Sequence, residues 1–498
     1  MDSNNSLSDL FKGLRVFSCA EKWALSSDKV RERPSRMEAI FYGSDGYQAA
    51  ESMYHTGFSM EKVGDLSKIL WFGPFTRKYV PEKGLPFLTS SKMMEAQPRT
   101  DKLISFKHTK HLDQLIIRDG YILVSCSGTI GNIMLCTKDI DGWACSQDAI
   151  RVIVNHKINL GVVYCYLQSP LGQFLLQRSQ TGSVVRHIYE ADVSSLPIPR
   201  LPLRLREELT KRIQEVSELR VEANRLLGQA EQMVQQQLEL PDIEYFETPS
   251  EMQKNHNATI FSVQASNNIF GSNQFGRCRL DATYHDPAAV KLRAYLRENK
   301  QVKKLSDIST KIWRSNLRQR VYVDEKNYGV PLLNGKHLSL IRFNNLNYLS
   351  KLHTKKVSHE MVNQGYVLVT CGGTVGKVMF VYRNMDGYAV SEDVIRVKPN
   401  NEYVYGGFIY AFLNSPYGHI QLMQEEYGSV QKKLRDFHVG DILLPIPIDK
   451  GLSINEIIIA AFDKRADALQ KEDAALDLFM TAIREGREAT EAQWGSEE

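Results

Sequence analysis

Apolar residues recur along this chain in two rhythms. From Leu205 to Leu238 they fall mostly every third or fourth position: Leu205, Leu209, Ile213, Val216, Leu219, Ala223, Leu226, Ala230, Met233 and Leu238. That spacing marks one face of an α-helix, and its persistence is coiled-coil-like. The stretch 203–240 contains no proline and a single glycine, and Pro241 follows it, so a helix is predicted between the flanking prolines. At about 1.5 Å per residue it would be roughly 50 Å long. A second stripe runs through Ile454, Ile457, Ile458, Ala461, Phe462, Ala466, Leu469, Leu476, Phe479, Met480 and Ile483. A long helix with one narrow apolar stripe needs a partner helix, and each of these two can serve the other. The competing reading lays each helix back on its own domain.

The other rhythm is short. Tyr121–Ser125, Ile133–Cys136 and Ala149–Val154 read as strands. Ser127–Gly131 reads as a turn whose glycines supply positive φ, and Asp141-Gly142 as a hairpin signal. Val162–Arg178 has helical spacing, with Val162, Tyr166, Leu167 and Phe174 on one side. The fold class predicted for these parts is α+β and rich in strands.

This pattern occurs twice. Laying Gly120–Val152 on Gly365–Val397 without a gap gives 17 identities in 33 positions, among them Cys126/Cys371, Gly128/Gly373, Thr129/Thr374, Gly131/Gly376, Ser146/Ser391, Asp148/Asp393 and Arg151/Arg396. The echo extends in order along both halves. Phe17-Ser18 answers to Phe261-Ser262, Arg36–Ala39 to Arg279–Ala282, and Gly84-Leu85-Pro86 to Gly329-Val330-Pro331. Ser169-Pro170 answers to Ser415-Pro416, Gly182-Ser183-Val184 to Gly428-Ser429-Val430, and Pro197-Ile198-Pro199 to Pro445-Ile446-Pro447. A period near 245 residues is too long for a solenoid, so a duplicated domain is implied.

Composition narrows the class. Hydrophobic residues make up 43% and charged residues 24% of 498, the balance of a globular protein. No apolar run approaches the roughly 20 residues needed to span a membrane. The N-terminus shows no secretory signal, so a cytoplasmic location is expected. Seven cysteines form no CxxC pair, and Cys126 and Cys371 read as buried apolar residues rather than metal ligands. Net charge is +4, but 203–240 carries −1 and 453–498 carries −6, leaving +11 on the rest. A basic body with neutral-to-acidic helices suits a polyanion partner.

Catalytic motifs are missing. Gly373-Thr374-Val375-Gly376-Lys377 lacks the spacing of a phosphate-binding loop, and Asn132 replaces its lysine in the other copy. There is no GxGxxG after a strand, no HExxH and no GxSxG. No catalytic and no metal residue is assigned. Basic loops are the candidates instead, because Arg and Lys mixed with Ser, Asn, Gln and aromatics can hold phosphates and reach base edges. They supply Arg77 and Lys78 in Thr76–Tyr79, and Arg314, Arg318 and Arg320 in Trp313–Arg320. Arg186 and His187 occupy the places of Lys432 and Lys433, and Lys92 and Lys336 follow the Gly-x-Pro segments. A solvated loop is the competing reading for each.

Taken in order, the Gly120–Gly131 and Gly365–Gly376 segments, the Ser/Asp/Arg pattern after them, the Gly-Ser loops and the Leu196–Pro199 and Leu444–Pro447 steps into long helices resemble the specificity subunits of type I restriction–modification systems. The likeness spans nearly the whole chain. Pro202-Leu203 keeps only part of the family's Pro-Leu-x-x-Gln helix start, and Asp449-Lys450-Gly451 lacks it. The resemblance implies two tandem mixed α/β target recognition domains, at 1–200 and 246–448. A long helix would follow each, at 201–245 and 449–498, the two pairing as an antiparallel coiled coil. Ile213, Val216, Leu219, Phe462, Leu469 and Leu476 are expected in the seam. It further implies a non-catalytic reader of double-stranded DNA that docks two methyltransferase subunits and works with motor–nuclease subunits. Those partners would bring S-adenosylmethionine, ATP and Mg, with no cofactor on this chain. A stand-alone DNA-binding or regulatory module of the same fold is the alternative.

Overall fold

The structure is a computed structural model. It describes residue 49 and residues 52–73, 75–100, 102–180, 186–246, 279, 281–315, 319–343 and 345–496. Phe17-Ser18, Arg36–Ala39, Gly182-Ser183-Val184, Phe261-Ser262 and Arg318 lie outside them. Two compact units emerge: 1–94, 98–218 and 469–498 form the first, and 95–97 and 219–468 the second. Each takes in part of both long helices.

The first unit is organised on a four-stranded antiparallel sheet ordered Ser67–Leu70, Ala149–Val154, Ile122–Ser125, Ile133–Leu135. The second unit repeats it with Ser309–Arg314, Val394–Pro399, Val367–Thr370 and Val378–Phe380. The strands Ile122–Ser125 and Val367–Thr370 are buried throughout, which explains why they read as continuous apolar runs.

Asp141-Gly142 does not close a hairpin. Ala144–Cys145 joins a separate four-stranded sheet, pairing in parallel with Phe87-Leu88, and Ala389-Val390 pairs with Leu332-Leu333 likewise. The Asp-Gly turn therefore carries the chain from one sheet to the other. The helical run at Val162–Arg178 is two helices, Leu160–Gln168 and Pro170–Arg178, because Ser169 adopts an extended backbone before Pro170.

The long helices span Leu203–Gln237 and Leu452–Trp494, the second interrupted at Gly486, whose φ is +79°. Within the first unit Lys471 pairs with Glu215 at 2.5 Å, and Arg212 donates to the Ala474 carbonyl at 3.4 Å. Within the second, Arg465 donates to Asn224 Oδ1 at 3.1 Å and Gln237 to Ser453 Oγ at 2.8 Å. Numbers rise on one helix as they fall on the other, so the helices run antiparallel.

The residues expected in the seam differ in burial. Ile213, Val216 and Phe462 are buried, but Leu219, Leu469 and Leu476 are only half-buried. The buried positions beside them are small: Ala466, Ala468, Ala475 and Ala482, with Phe479. The helices also pack on their domains. Ile213 and Phe479 share a core with the first unit's strands, as Phe462 does with the second unit's.

A glycine seats each domain on its long helix. The Gly161 N–H donates to Thr210 Oγ1 at 3.0 Å, and the Gly407 N–H to Asn455 Oδ1 at 2.9 Å. A Cβ on Gly161 would lie 2.2 Å from the Thr210 nitrogen, and one on Gly407 2.8 Å from the Asn455 Cα. Only glycine permits that approach.

Candidate nucleic-acid interface

The glycine turns are the local centre of each unit. Gly128 and Gly131 have φ of +72° and +87°, and Gly373 and Gly376 of +73° and +81°, which explains the Gly-Thr-x-Gly pattern. Ser125 Oγ donates to the Thr129 carbonyl at 2.6 Å and accepts from the Asn132 N–H at 2.8 Å, bracing the turn from inside.

Three distant segments gather around it. The Cys126 N–H donates to the Asp148 carbonyl at 2.9 Å, and the Cys371 N–H to the Asp393 carbonyl at 2.7 Å. The segments at His187 and Lys433 form a bridge to the turn, Ser127 with His187 and Gly372 with Lys433. The Ile188 and Leu434 N–H groups then donate to the Cys126 and Cys371 carbonyls at 3.1 and 3.0 Å. Finally Arg77 donates to Gln147 Oε1 at 2.8 Å, while Arg320 pairs with Glu392 at the equivalent place. Arg77, Arg186 and His187 are thus brought together in the first unit, and Arg320, Lys432 and Lys433 in the second.

The two arginines are partly sequestered. Arg77 packs against the Phe75 and Phe87 rings, 5.5 Å from each centroid. Burial pushes the Glu392 carboxyl up, but hydrogen bonds from Arg320 and the backbone, with the Arg320 charge, hold it below its usual value. Arg77 and Arg320 are therefore both half-buried and held by intradomain partners. The loop cations are more available. Arg186 is exposed and donates to Gln180 Oε1 at 3.1 Å, and exposed Lys432 pairs with Glu426 at 2.8 Å. An ion pair at the surface, such as Lys432–Glu426, contributes about 0–1 kcal/mol, little enough to be exchanged for a phosphate. Lys433 is exposed and Val430 at the loop tip is 99% exposed.

The other candidates are dispersed. Lys78 and Lys336 are exposed, and Lys92 is half-buried. Arg314 is half-buried at its strand end and acts on Cys371: burial pushes that thiol up to about 11, and Arg314's charge and hydrogen bond oppose the rise. Burial likewise pushes the Cys126 thiol up to about 12, so both behave as inert core residues. Among the described residues no cluster of His, Cys, Asp and Glu could hold a metal ion, and no helix is long and apolar enough to cross a membrane.

Arg151 and Arg396, read in the sequence only as pattern residues, are fully buried. Arg151 donates to the Ala149, Leu115 and Cys145 carbonyls at 3.2, 3.3 and 2.9 Å. Arg396 donates to the Val394, Glu360 and Val390 carbonyls and to the Glu360 carboxylate at 3.0 Å. They tie the central sheet to the turns around it. The intradomain partners Gln147, Glu392, Gln180 and Glu426 were not singled out. Their only sequence signal is that each stands at the same place in both copies.

The geometry is that of a duplicated α/β domain presenting basic loops around a repeated glycine turn, with paired helices attached. Residues 297–476 match the model of the type I restriction modification DNA specificity domain. The matched segment lies in the second copy, and the first copy repeats part of its residue pattern. No curated protein matches the chain. Among solved structures, the S subunit of the type I restriction–modification system of M. genitalium is 12% identical, over 86% of this chain and 96% of that one, with a TM-score of 0.35. The HsdS subunit of Thermoanaerobacter tengcongensis is 14% identical over 86% and 96%, with a TM-score of 0.25. The likeness to this family is thus carried by the segment 297–476.

Proposed function

We propose that the chain is the DNA-reading subunit of a type I restriction–modification complex and reads a bipartite, asymmetric duplex site. One observation carries this. The same arrangement, a glycine turn bridged by a basic segment, is built twice, but with different side chains at its surface: Arg186-His187 in one copy, Lys432-Lys433 in the other. Two related surfaces with different contents suit two different half-sites. Basic side chains would engage phosphates and fix register, while neighbouring polar side chains would reach base edges.

The antiparallel helices would dock two methyltransferase subunits, and motor–nuclease subunits would join them. On this reading the chain performs no catalysis, and S-adenosylmethionine, ATP and Mg belong to those partners, in the cytoplasm. Purification with the products of adjacent genes, followed by sequencing of methylated bases, tests the proposal. Methylation at two separated, unlike half-sites is expected. A chain that co-purifies with no methyltransferase, or directs no methylation, would overturn it.

A further inference from the structure

A second repeated element lies apart from the glycine turns. Ser105-Phe106-Lys107-His108-Thr109-Lys110-His111 and Ser350-Lys351-Leu352-His353-Thr354-Lys355-Lys356 stand 245 positions apart, with Ser, His, Thr and Lys kept at the same four places. Both are built alike. The His108 and His353 N–H groups donate to Ser105 Oγ and Ser350 Oγ at 3.2 and 3.0 Å. The Ser105 and Ser350 N–H groups donate to the Lys78 and Val321 carbonyls at 2.9 and 2.8 Å. Thr109 and Thr354 are buried, and the chain leaves through left-handed residues, His111 at φ +53° and Lys356 at φ +57°.

The shared Ser and Thr are accounted for by this construction. The shared His and Lys are not. His108, Lys110, His353 and Lys355 are all exposed, and among the described residues their side chains make no hydrogen bond or ion pair. Packing does not require them, yet both copies keep them. Between them the turns present large apolar tips, Phe106 at 59% and Leu352 at 84% exposure. The exposed rings of Tyr79 and Tyr322 lie on the neighbouring strands, and Lys78 stands just before the first of them. Cations beside an exposed ring or alkyl tip match a nucleic-acid strand, which offers phosphates next to apolar sugar and base faces.

We propose that these turns are a matched pair of DNA-backbone grips. Lys110 and His108 in one unit, and Lys355 and His353 in the other, contact phosphates of the duplex, and Phe106 and Leu352 lie against the groove wall beside them. The inference rests on the DNA-reading function and adds a contact surface to it. The test is the Lys110→Gln/Lys355→Gln double variant of the full chain, with its partner subunits as purified. Affinity for duplex DNA is measured across a salt series, and the melting temperature is measured alongside. The log–log salt slope should become shallower by about 0.9 per lysine removed, with melting unchanged. A parent that binds with a steep slope and a variant that binds identically would overturn the grips while leaving the DNA-reading function intact. A lowered melting temperature with an unchanged slope would also overturn them. A parent that does not bind duplex DNA would sink the function itself.

Discussion

Arg151 and Arg396 show at the level of single residues what a buried guanidinium needs. Both hold three backbone carbonyls, but among the described residues only Arg396 has a carboxylate partner, because Leu115 stands where Glu360 stands in the other copy. Arg396→Leu would strand the carbonyls and a buried acid, and should destabilise the second unit by about 3–5 kcal/mol. Glu360→Leu recreates the first copy's arrangement and should cost distinctly less. Chemical denaturation of the two variants compares them directly, and equal losses would contradict the argument. His337 adds a pH dependence. It is buried, and its Nδ1 accepts the Asn334 N–H at 3.0 Å. Burial, aided by the Lys336 charge, lowers its pKa below the ordinary 6.5. The unfolded chain thus takes the proton first as pH falls. This stabilisation is complete above pH 6.5 and is lost as pH drops from there through the lower folded value. Melting temperatures between pH 8 and 5 should show the decline, and His337→Gln should flatten it.

Elements were legible wherever burial is one-sided or complete. The long helices match their stripes, with starts at Leu203 and Leu452, because the stripe is what the neighbours cover. The contents of the seam were less legible. Leu469 and Leu476 outrank alanine in hydrophobicity, yet Ala468 and Ala475 are the more buried, and a residue's size does not reveal how near its neighbour comes. Asp141-Gly142 misled for a related reason: a turn motif specifies a reversal, not which strand receives the chain. The arginine clamps were invisible because their partners lie some 70 residues away in sequence. Two expectations follow for the elements. Phe462→Ala should cost about 3–5 kcal/mol, and the half-buried Leu469→Ala clearly less; thermal denaturation of both variants checks the order. Gly407→Ala puts a methyl against the Asn455 backbone, so it should destabilise the second unit, whereas alanine at Gly228, with open space around it, should be neutral or stabilising.

For the whole molecule the duplication is the governing fact. Two copies share the buried scaffold, including Cys126/Cys371, Gly131/Gly376 and Arg151/Arg396, and differ in the segments Trp71–Val80 and Trp313–Val323. Shared interiors keep one backbone path, and different loops let each copy carry its own contacts. If each copy reads its own half-site, the halves should be separable by mutation. Val430 and Gln431 are exposed in the second unit's Gly-Ser loop, next to Lys432. Replacing both should change the bases selected in one half of the target and leave the other half as in the parent. Arg186→Ala and Lys432→Ala, by contrast, remove candidate phosphate contacts and should weaken all sequences alike, each lowering the salt slope by about one unit. Selection from random duplexes, or mapping of methylated bases with the partner subunits present, reads the first effect, and salt titration the second. A Val430/Gln431 variant that alters both halves together would mean the copies act on one shared site, and a palindromic parent target would mean their different loops read the same bases.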